Sequence, residues 1–356
     1  MRILIVSNMF PSSKFQSYGV FVKNFCAQLQ DIGIDYSLSV MKKSSNKVSK
    51  LFRYIFFYVK TYIKCMFFNY DLIYVHYASN SSVPVLWAAK LKKMKVYTNV
   101  HGSDVAPQNE KQEKMQKYTR RIFDISEKII VPSFYFKDFV SEKYCISEEK
   151  IYVSFSGGID SNVFYPEDIK FYSSKFTLGF VSRISYGKGW DVFLKACARV
   201  KELDFKIIMV GSGPQDSELK QLIYELELTD RIEMYPLLCQ QELREIYKEL
   251  DVFVFSTCLR ESLGLVAIEA MACGVPVIAT DFAAPSYYVV DNMNGYKFNK
   301  GDDSDLAKKI RQFSKLSSEE REQLRQGAIN TAEKYKKEYV LLQMKDILVE
   351  EKNDKD

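Results

Sequence analysis

The sequence predicts an α/β protein built from two doubly wound, Rossmann-like domains in series. Short apolar runs, typical of buried parallel strands, alternate with helical patterns over the first 160 residues. A polar stretch with a proline, from Tyr165 to Lys175, interrupts this pattern, and the same alternation restarts after it. The length of 356 residues and the 47% of hydrophobic residues suit two domains with one core each.

Strands and helices follow each other in a regular order in both halves. The strands predicted in the first half are Ile3–Ser7, Tyr36–Val40, Leu72–Val75, Val96–Val100, Lys128–Val131 and Ile151–Val153, with helices at Val20–Gln30, Pro84–Lys93 and Phe134–Lys143. Those predicted in the second half are Phe176–Val181, Phe205–Val210, Arg231–Tyr235, Val252–Phe255 and Val275–Ala279, with helices at Asp191–Glu202, Gln215–Glu225 and Val266–Cys273 and a helical region from Ser304 to Glu350. We therefore expect domains over residues 1–165 and 176–335, and a C-terminal helix over 336–356 that packs back towards the first domain.

Charge is distributed unequally between the two halves. Residues 1–160 hold 23 Lys and Arg against 13 Asp and Glu, whereas residues 161–356 hold 27 against 32. A basic half beside an acidic half indicates an anionic partner for the first half only, such as acidic lipid or a phosphorylated substrate. Nucleic acid is not expected as a partner, because the basic residues belong to no recognised nucleic-acid-binding module.

The cysteines and the apolar runs indicate the compartment. Seven cysteines occur without a CxxC pair, which favours buried free thiols in a reducing cytosol over disulfides or a zinc site. The N-terminal run MRILIVSNMF fits a first strand better than a signal peptide. No uncharged apolar stretch reaches the length of about 20 residues that a membrane span needs, so we expect none.

The segment RESLGLVAIEAMACGVPVIAT, residues 260–280, carries the richest chemistry. A helix that begins near Gly264 would present the free amides of Leu265 and Val266 to an anion such as a diphosphate. Glu269 lies among apolar neighbours inside this helix, so its carboxylate needs a polar partner, for which a ribose diol is suitable. The alternative is structural: Glu261 would cap the helix, and Glu269 would pair with a Lys or Arg.

Three further groups of residues follow predicted strands. Arg183 and Lys188, in GFVSRISYGKGW, could stabilise a departing diphosphate, or they could be solvated loop cations. His101, in VHGSD, is one of only two histidines and could be catalytic or structural. Gly19 opens the first helix and could bring its amides towards a ligand.

Together these segments resemble the retaining nucleotide-sugar glycosyltransferases of the GT-B fold, in the group called family four. The most specific element is Glu261 and Glu269 with seven residues between them, supported by HGSD at 101–104, GID at 158–160 and the Arg183-x4-Lys188-Gly189 pattern. The resemblance covers nearly the whole chain. It implies two domains that face each other across a cleft, the first binding the acceptor and the second the nucleotide-sugar.

The resemblance also implies residue roles. Arg183 and Lys188 would hold the diphosphate, Glu269 the ribose, and Glu261 the hydroxyls of the donor sugar. Backbone contacts would come from Gly264, Leu265 and Val266, with Gly19 lining the cleft. His101 would support the sugar near its anomeric carbon. The reaction would retain the anomeric configuration and need neither a metal nor a cofactor, the nucleotide-sugar being a co-substrate; a UDP-sugar carrying a hexose is favoured.

One departure from the family concerns the loop after the strand Val275–Ala279. The family often has a Gly-Gly pair and a Glu in this loop, where this chain has Ala283, Ala284, Pro285 and Ser286. The loop beside the donor sugar is therefore expected to be altered.

Residues 48–68 indicate a membrane surface as a partner. Between Asp35 and Asp71 the chain has no acidic residue. On a helix at about 100° per residue, Lys50, Arg53, Lys60 and Lys64 fall within an arc of about 80°, opposite a largely apolar side. Either this is a core-packed helix with a solvated basic face, or it lies on an anionic membrane near a lipid-linked glycan acceptor. The second interpretation predicts a cytoplasmic enzyme, peripheral on the inner face of the membrane, that serves cell-surface polysaccharide synthesis.

Two other functions remain open from the sequence. A GT-B sugar-nucleotide epimerase would use the same donor site, and a non-catalytic nucleotide-sugar-binding protein would keep the site without the reaction. Glu261 and Glu269 beside Arg183 and Lys188 favour the transferase, because pure binding does not require charge stabilisation on a leaving group.

Overall fold

The computed structural model describes residues 1–16, 18–168 and 175–349. The predicted linker Tyr165–Lys175 falls largely outside the described residues. The chain divides into two compact units, one of Met1–Gly157 with the chain from Val340 onwards, the other of Gly158–Tyr339. Within the described residues, each unit contains one six-stranded sheet, and every pairing between neighbouring strands is parallel. The predicted α/β class with two doubly wound domains is confirmed.

The first unit is wound in the order β2-β1-β3-β4-β5-β6. Its strands are β1 (Arg2–Phe10), β2 (Asp35–Lys42), β3 (Leu72–His76), β4 (Val96–Asn99), β5 (Lys128–Val131) and β6 (Ile151–Val153). Its helices are α1 (Val20–Asp31), α2 (Lys47–Phe67), α3 (Val83–Ala89), α4 (Glu110–Ile125) and α5 (Phe134–Tyr144). The order of the strands reverses between β1 and β3, so their carboxyl ends mark the place where such a sheet binds ligands.

Alternating side chains on β1 place one apolar core on each face of this sheet. Leu4 and Val6 belong to the core that α2 to α5 cover, and Ile3 and Ile5 belong to the core that α1 covers. The last helix, α12 (Lys337–Leu348), contributes Met344, Ile347 and Leu348 to the α1 side.

The second unit is wound in the order β12-β11-β10-β7-β8-β9. Its strands are β7 (Phe176–Val181), β8 (Phe205–Val210), β9 (Ile232–Tyr235), β10 (Val252–Phe255), β11 (Val277–Thr280) and β12 (Gly295–Phe298). Its helices are α6 (Trp190–Ala198), α7 (Asp216–Glu225), α8 (Gln240–Glu249), α9 (Leu265–Ala272), α10 (Asp303–Ser314) and α11 (Ser318–Ala332). This order is that of a dinucleotide-binding Rossmann sheet, and it reverses between β7 and β10.

The structure refines several predicted elements. Strand β12 was missed because GYKF is short and begins with glycine, which weakens a strand signal. Helix α4 was not predicted individually because only Thr119, Ile122 and Phe123 are buried on it, too few for a clear apolar stripe. The region predicted as helical from Ser304 is three helices, since Ser317 caps α11 and a short 3-10 turn precedes α12.

Candidate functional site

Two helices with uncapped N-termini begin beside the β7–β10 reversal of the second sheet. Gly189 precedes α6 with φ 77° and Gly264 precedes α9 with φ 84°, and neither helix has a side-chain cap. Both glycines are required, because a Cβ would lie 1.8 Å from the Ser256 carbonyl oxygen at Gly189 and 2.7 Å from the Phe255 ring at Gly264. The first amides of α9, on Leu265 and Val266, are therefore available to an anion.

A lysine–glutamate pair joins the two loops that follow β7 and β10. Lys188 Nζ lies 2.7 Å from Glu261 Oε1, and the Thr257 hydroxyl donates to the same oxygen at 3.0 Å. Both charged side chains are largely buried, 25% and 17% exposed. Glu261 therefore does not cap α9, which rules out that structural alternative. Thr257 was missed in the sequence, although its position just after β10 follows the strand-end rule.

Arg183 lies on the loop that follows β7, and its side chain is exposed. Over residues 1–16, 18–168 and 175–349, no carboxylate is recorded within ion-pair distance of its guanidinium. Lys188 is balanced by Glu261, whereas Arg183 retains an unbalanced positive charge. A guanidinium in this state suits the bidentate binding of a phosphate.

Glu269 lies inside α9 and is buried, with 8% of its surface exposed. Its recorded partner among the described residues is the Tyr247 hydroxyl at 3.5 Å, which is closer to the Val266 carbonyl oxygen at 3.0 Å. A hydroxyl has one proton to donate, so the carboxylate is short of donors. Burial consequently raises the pKa of Glu269 to about 7. Within the part of the chain that the structure describes, no Lys or Arg pairs with Glu269, contrary to the structural alternative. No sequence signal pointed to Tyr247.

Two histidines meet at the carboxyl ends of β3 and β4 in the first unit. His76 Nδ1 and His101 Nε2 are 3.0 Å apart, so one nitrogen donates a hydrogen bond to the other. Phe21 packs over the His101 ring at 3.9 Å between centroids. Burial lowers the pKa of His101 to about 3 and that of His76 well below its usual value, so both imidazoles are neutral near pH 7. His76, the other histidine of the chain, is thus the direct partner of His101.

The loop that holds His101 is fixed by Asp104. One Asp104 oxygen accepts from the amides of His101 and Gly102 at 3.0 and 2.9 Å, and the other accepts from the Ala78 amide at 2.8 Å. A cavity of about 30 Å³ adjoins the histidine pair and is lined by Asn24, Gln28 and Asn99 among others. The sequence HGSD therefore forms a rigid loop that presents an imidazole.

Gly19 lies at the start of α1 with φ 75°. A Cβ at this position would lie 2.6 Å from the Met9 carbonyl carbon, so the glycine allows the backbone to pass close to the end of β1. It begins a helix without a side-chain cap near the β1–β3 reversal, as the sequence indicated.

The altered loop after β11 retains a backbone shape that normally requires glycine. Ala283 has φ 58° and ψ −149° and is buried, and its carbonyl accepts from the Ser286 hydroxyl at 2.8 Å. An L-residue in this region costs on the order of 1–3 kcal/mol. Ala283 thus holds a strained backbone conformation in the loop where the family often has a Gly-Gly pair.

We expect Ala283→Gly to stabilise the second unit by about 1 kcal/mol, since relief of strain outweighs the extra backbone entropy of the unfolded glycine. The melting temperature should rise by about 2–4 °C in a calorimetric scan. The matched control is Ala284→Gly, because Ala284 is fully buried and lacks the positive φ; it should lower the melting temperature. A fall in both variants would show that Ala283 is unstrained.

The fold and the second unit's strand reversal define a doubly wound α/β protein in which two uncapped helix N-termini lie where a Rossmann sheet binds ligands. Residues 163–331 match the family model of glycosyl transferases group 1, and residues 24–160 match that of Glycosyltransferase Family 4. The chain belongs to the group 1 glycosyltransferases of the GT-B fold.

Individual proteins agree with this assignment. WcaL of Escherichia coli K12, whose name assigns it to colanic acid biosynthesis, is 27% identical over 65% of this chain. The match spans 60% of the length of WcaL, which is less than two thirds. A sucrose-phosphate synthase from Thermosynechococcus elongatus superimposes with a TM-score of 0.78 at 19% identity, covering 98% of both chains. HepE of Anabaena, solved in complex with UDP, gives 0.76 at 18% identity over 98% of this chain and 99% of its own. The structural matches show the fold.

Within the described residues, no group of three or more His, Cys, Asp or Glu side chains is arranged to hold a metal ion. Nor does any helix in the described ranges combine the length and the apolarity that crossing a bilayer requires. The cysteines are free thiols, of which Cys145 and Cys239 are exposed, so the sequence expectation of buried thiols does not extend to these two.

Proposed function

We propose that this protein is a retaining, metal-independent glycosyltransferase that moves a hexose from a nucleotide-sugar to a glycan. The anion site at the β7–β10 reversal is the observation that carries this proposal. It combines uncapped helix N-termini, the cations Arg183 and Lys188, and the buried carboxylate of Glu269, which has too few hydrogen-bond donors. A nucleoside diphosphate complements these groups, because its anionic diphosphate suits the helix N-termini and cations, and its ribose has two hydroxyl donors for the carboxylate.

The charge on the leaving group explains why cations are needed there. When the bond between the sugar's anomeric carbon and the diphosphate breaks, negative charge grows on the departing phosphate. Arg183, Lys188 and the amides of α9 stabilise that charge. The acceptor hydroxyl attacks from the same face, its oxygen bonds to the anomeric carbon, and its proton passes to the leaving phosphate. The configuration of the sugar is therefore retained.

Glu261 and His101 serve the sugar in this proposal. Glu261 is held by Lys188 and Thr257 and can accept hydrogen bonds from sugar hydroxyls. His101 is neutral, so it acts as a hydrogen-bonding group near the anomeric carbon and not as a cation beside the developing oxocarbenium charge. Gly19 is also assigned to the donor-binding residues, because it opens α1 without a side-chain cap.

For the donor we propose a UDP-sugar, supported by the UDP complex of the structurally similar HepE. For the acceptor we propose a lipid-linked glycan of a cell-surface polysaccharide, supported by the likeness to WcaL. The protein would work in the cytoplasm, at the inner face of the membrane, with residues 48–68 in contact with anionic lipid.

Thermal-shift measurements with UDP, GDP and ADP test the donor site. A ligand that binds only the folded state raises the melting temperature with its occupancy, so UDP should give the largest rise. Slow hydrolysis of UDP-hexose by the wild type but not by Glu261→Ala would separate an enzyme from a binding protein. The released sugar should keep its configuration in NMR spectra, and EDTA should not alter the rate. Failure of all three nucleotides to shift the melting temperature would refute the donor site.

A further inference from the structure

Helix α2 buries one side and leaves a wide apolar surface in solvent. Its buried residues are Phe57, Thr61 and Cys65, which are spaced four apart and face the sheet. We name the opposite side the α2 apolar face; it consists of Val48, Leu51, Phe52, Ile55, Phe56, Val59, Ile63 and Phe67, each between 42% and 77% exposed. Single exposed apolar residues are ordinary, but eight on one helix form a patch typical of an interaction site.

The basic arc predicted from the sequence is only partly available for a partner. The Arg53 guanidinium donates to the carbonyl oxygens of Lys42 and Lys43 at 3.2 and 3.3 Å, and Lys64 Nζ donates to that of Leu38 at 3.1 Å. Two of the four predicted cations thus tie α2 to β2 and the residue that follows it. Among the described residues, no hydrogen bond or ion pair is recorded for the amines of Lys47, Lys50 and Lys60.

Helix α3 packs beside α2 and adds apolar surface. Trp87 is 46% exposed and meets the Tyr58 ring edge-on at 5.6 Å between centroids, and Leu91, just beyond α3, is 69% exposed. An indole with one apolar and one polar edge is suited to the boundary between lipid and water.

Charge favours a lipid surface over a second copy of the chain. In a twofold dimer the same patch would meet itself, and it would bring the lysines of both copies together. No acidic residue between Asp35 and Asp71 is available to neutralise them. Anionic lipid headgroups would neutralise them while the acyl chains accept the phenylalanines.

We propose that the α2 apolar face inserts into the headgroup region of an anionic membrane. Burial of its phenylalanines supplies most of the affinity, and the lysines at its edge supply the preference for anionic lipid. This inference rests on the membrane part of the proposed function and deepens it, because it assigns most of the affinity within residues 48–68 to the apolar face. It makes α2 a helix that lies in the membrane surface.

The test is sedimentation of the full chain with vesicles of phosphatidylcholine and 30–40% phosphatidylglycerol, without any sugar nucleotide. Phe52→Ser with Phe56→Ser should lower the partition coefficient by about 50-fold or more, from the area each ring buries. Lys50→Gln with Lys60→Gln should lower it by about fivefold per charge, and only at low salt. The matched control is Leu342→Ser, a similarly exposed apolar position on α12, which should bind as the wild type does.

Brominated acyl chains provide a second readout, because they should quench Trp87 fluorescence, and this quenching should disappear in Trp87→Phe. Equal binding by the phenylalanine variant and the wild type would overturn the proposal. The proposal would also be overturned if the wild type formed a dimer in ultracentrifugation, the phenylalanine variant were a monomer, and neither protein bound vesicles. Hydrolysis of UDP-hexose by the phenylalanine variant should equal that of the wild type, so loss of membrane binding is distinguishable from loss of the donor site.

Discussion

Lys188→Ala is expected to lower kcat/KM for UDP-hexose turnover by about 10²–10³-fold, the cost typical of removing one group that stabilises transition-state charge. The substitution also leaves Glu261 without its cation, 17% exposed and close to where the diphosphate would bind. The variant therefore loses the attraction between Lys188 and the diphosphate and gains a repulsion between Glu261 and the diphosphate. Steady-state kinetics of UDP-hexose hydrolysis measure the effect, and a thermal scan shows whether the variant is folded.

Two further variants separate these contributions. Adding Glu261→Gln to Lys188→Ala removes the unpaired carboxylate, and we expect it to restore UDP affinity by about tenfold while catalysis stays low, as a double-mutant cycle would show. Lys195→Ala is the matched control, because Lys195 lies on helix α6 and its contact with Asp191, at 3.8 Å, is exposed to solvent. If the folded Lys188→Ala variant has a kcat/KM within threefold of the wild-type value, Lys188 does not belong to the donor site.

Glu269 is expected to make donor affinity depend on pH. Its pKa is raised to about 7 by burial, so at pH 6 only about a tenth of the molecules carry the carboxylate, and at pH 8 most do. Ribose hydroxyls donate to the charged form and lower the pKa of the bound state, so donor binding releases a proton. Affinity should therefore rise about tenfold between pH 6 and pH 8.

Calorimetry with a UDP-hexose in buffers of different ionisation enthalpy measures both the affinity and the released proton. A nucleotide-sugar is the appropriate probe because its doubly esterified diphosphate does not titrate in this range. Glu269→Gln, which keeps the shape of the side chain and has no titrating proton, should bind more weakly at pH 8 and with a flat pH profile. The same slope in wild type and variant would exclude Glu269 from the binding site.

Much of the site could be predicted from the sequence because a parallel sheet gathers its strand ends at one edge. Arg183, Lys188 and Glu261 each follow a strand, and the apolar neighbours of Glu269 along the chain predict its burial. These are local signals, set by residues within one helical turn or one strand. The spacing of Glu261 and Glu269 then identified the family that the family models confirm.

The sequence did not show which site side chains contact each other in the fold. Lys188 and Glu261 are 73 residues apart, and His76 and His101 are 25 apart, so their contacts depend on the order of the strands. The same holds for Tyr247, which reaches Glu269 from a neighbouring helix. Side chains that supply a hydrogen bond to a buried group leave no periodic pattern along the chain.

The sequence by itself determined the alternation of strands and helices, the two doubly wound domains and the residues at their strand ends, because periodicity and turn chemistry act over a few residues. The tertiary structure decided which faces are covered. It tied Arg53 and Lys64 to carbonyl oxygens at β2 and left the α2 apolar face in solvent. A helical pattern shows that an apolar side exists, but burial depends on whether another element packs against it, and that is a property of the whole fold.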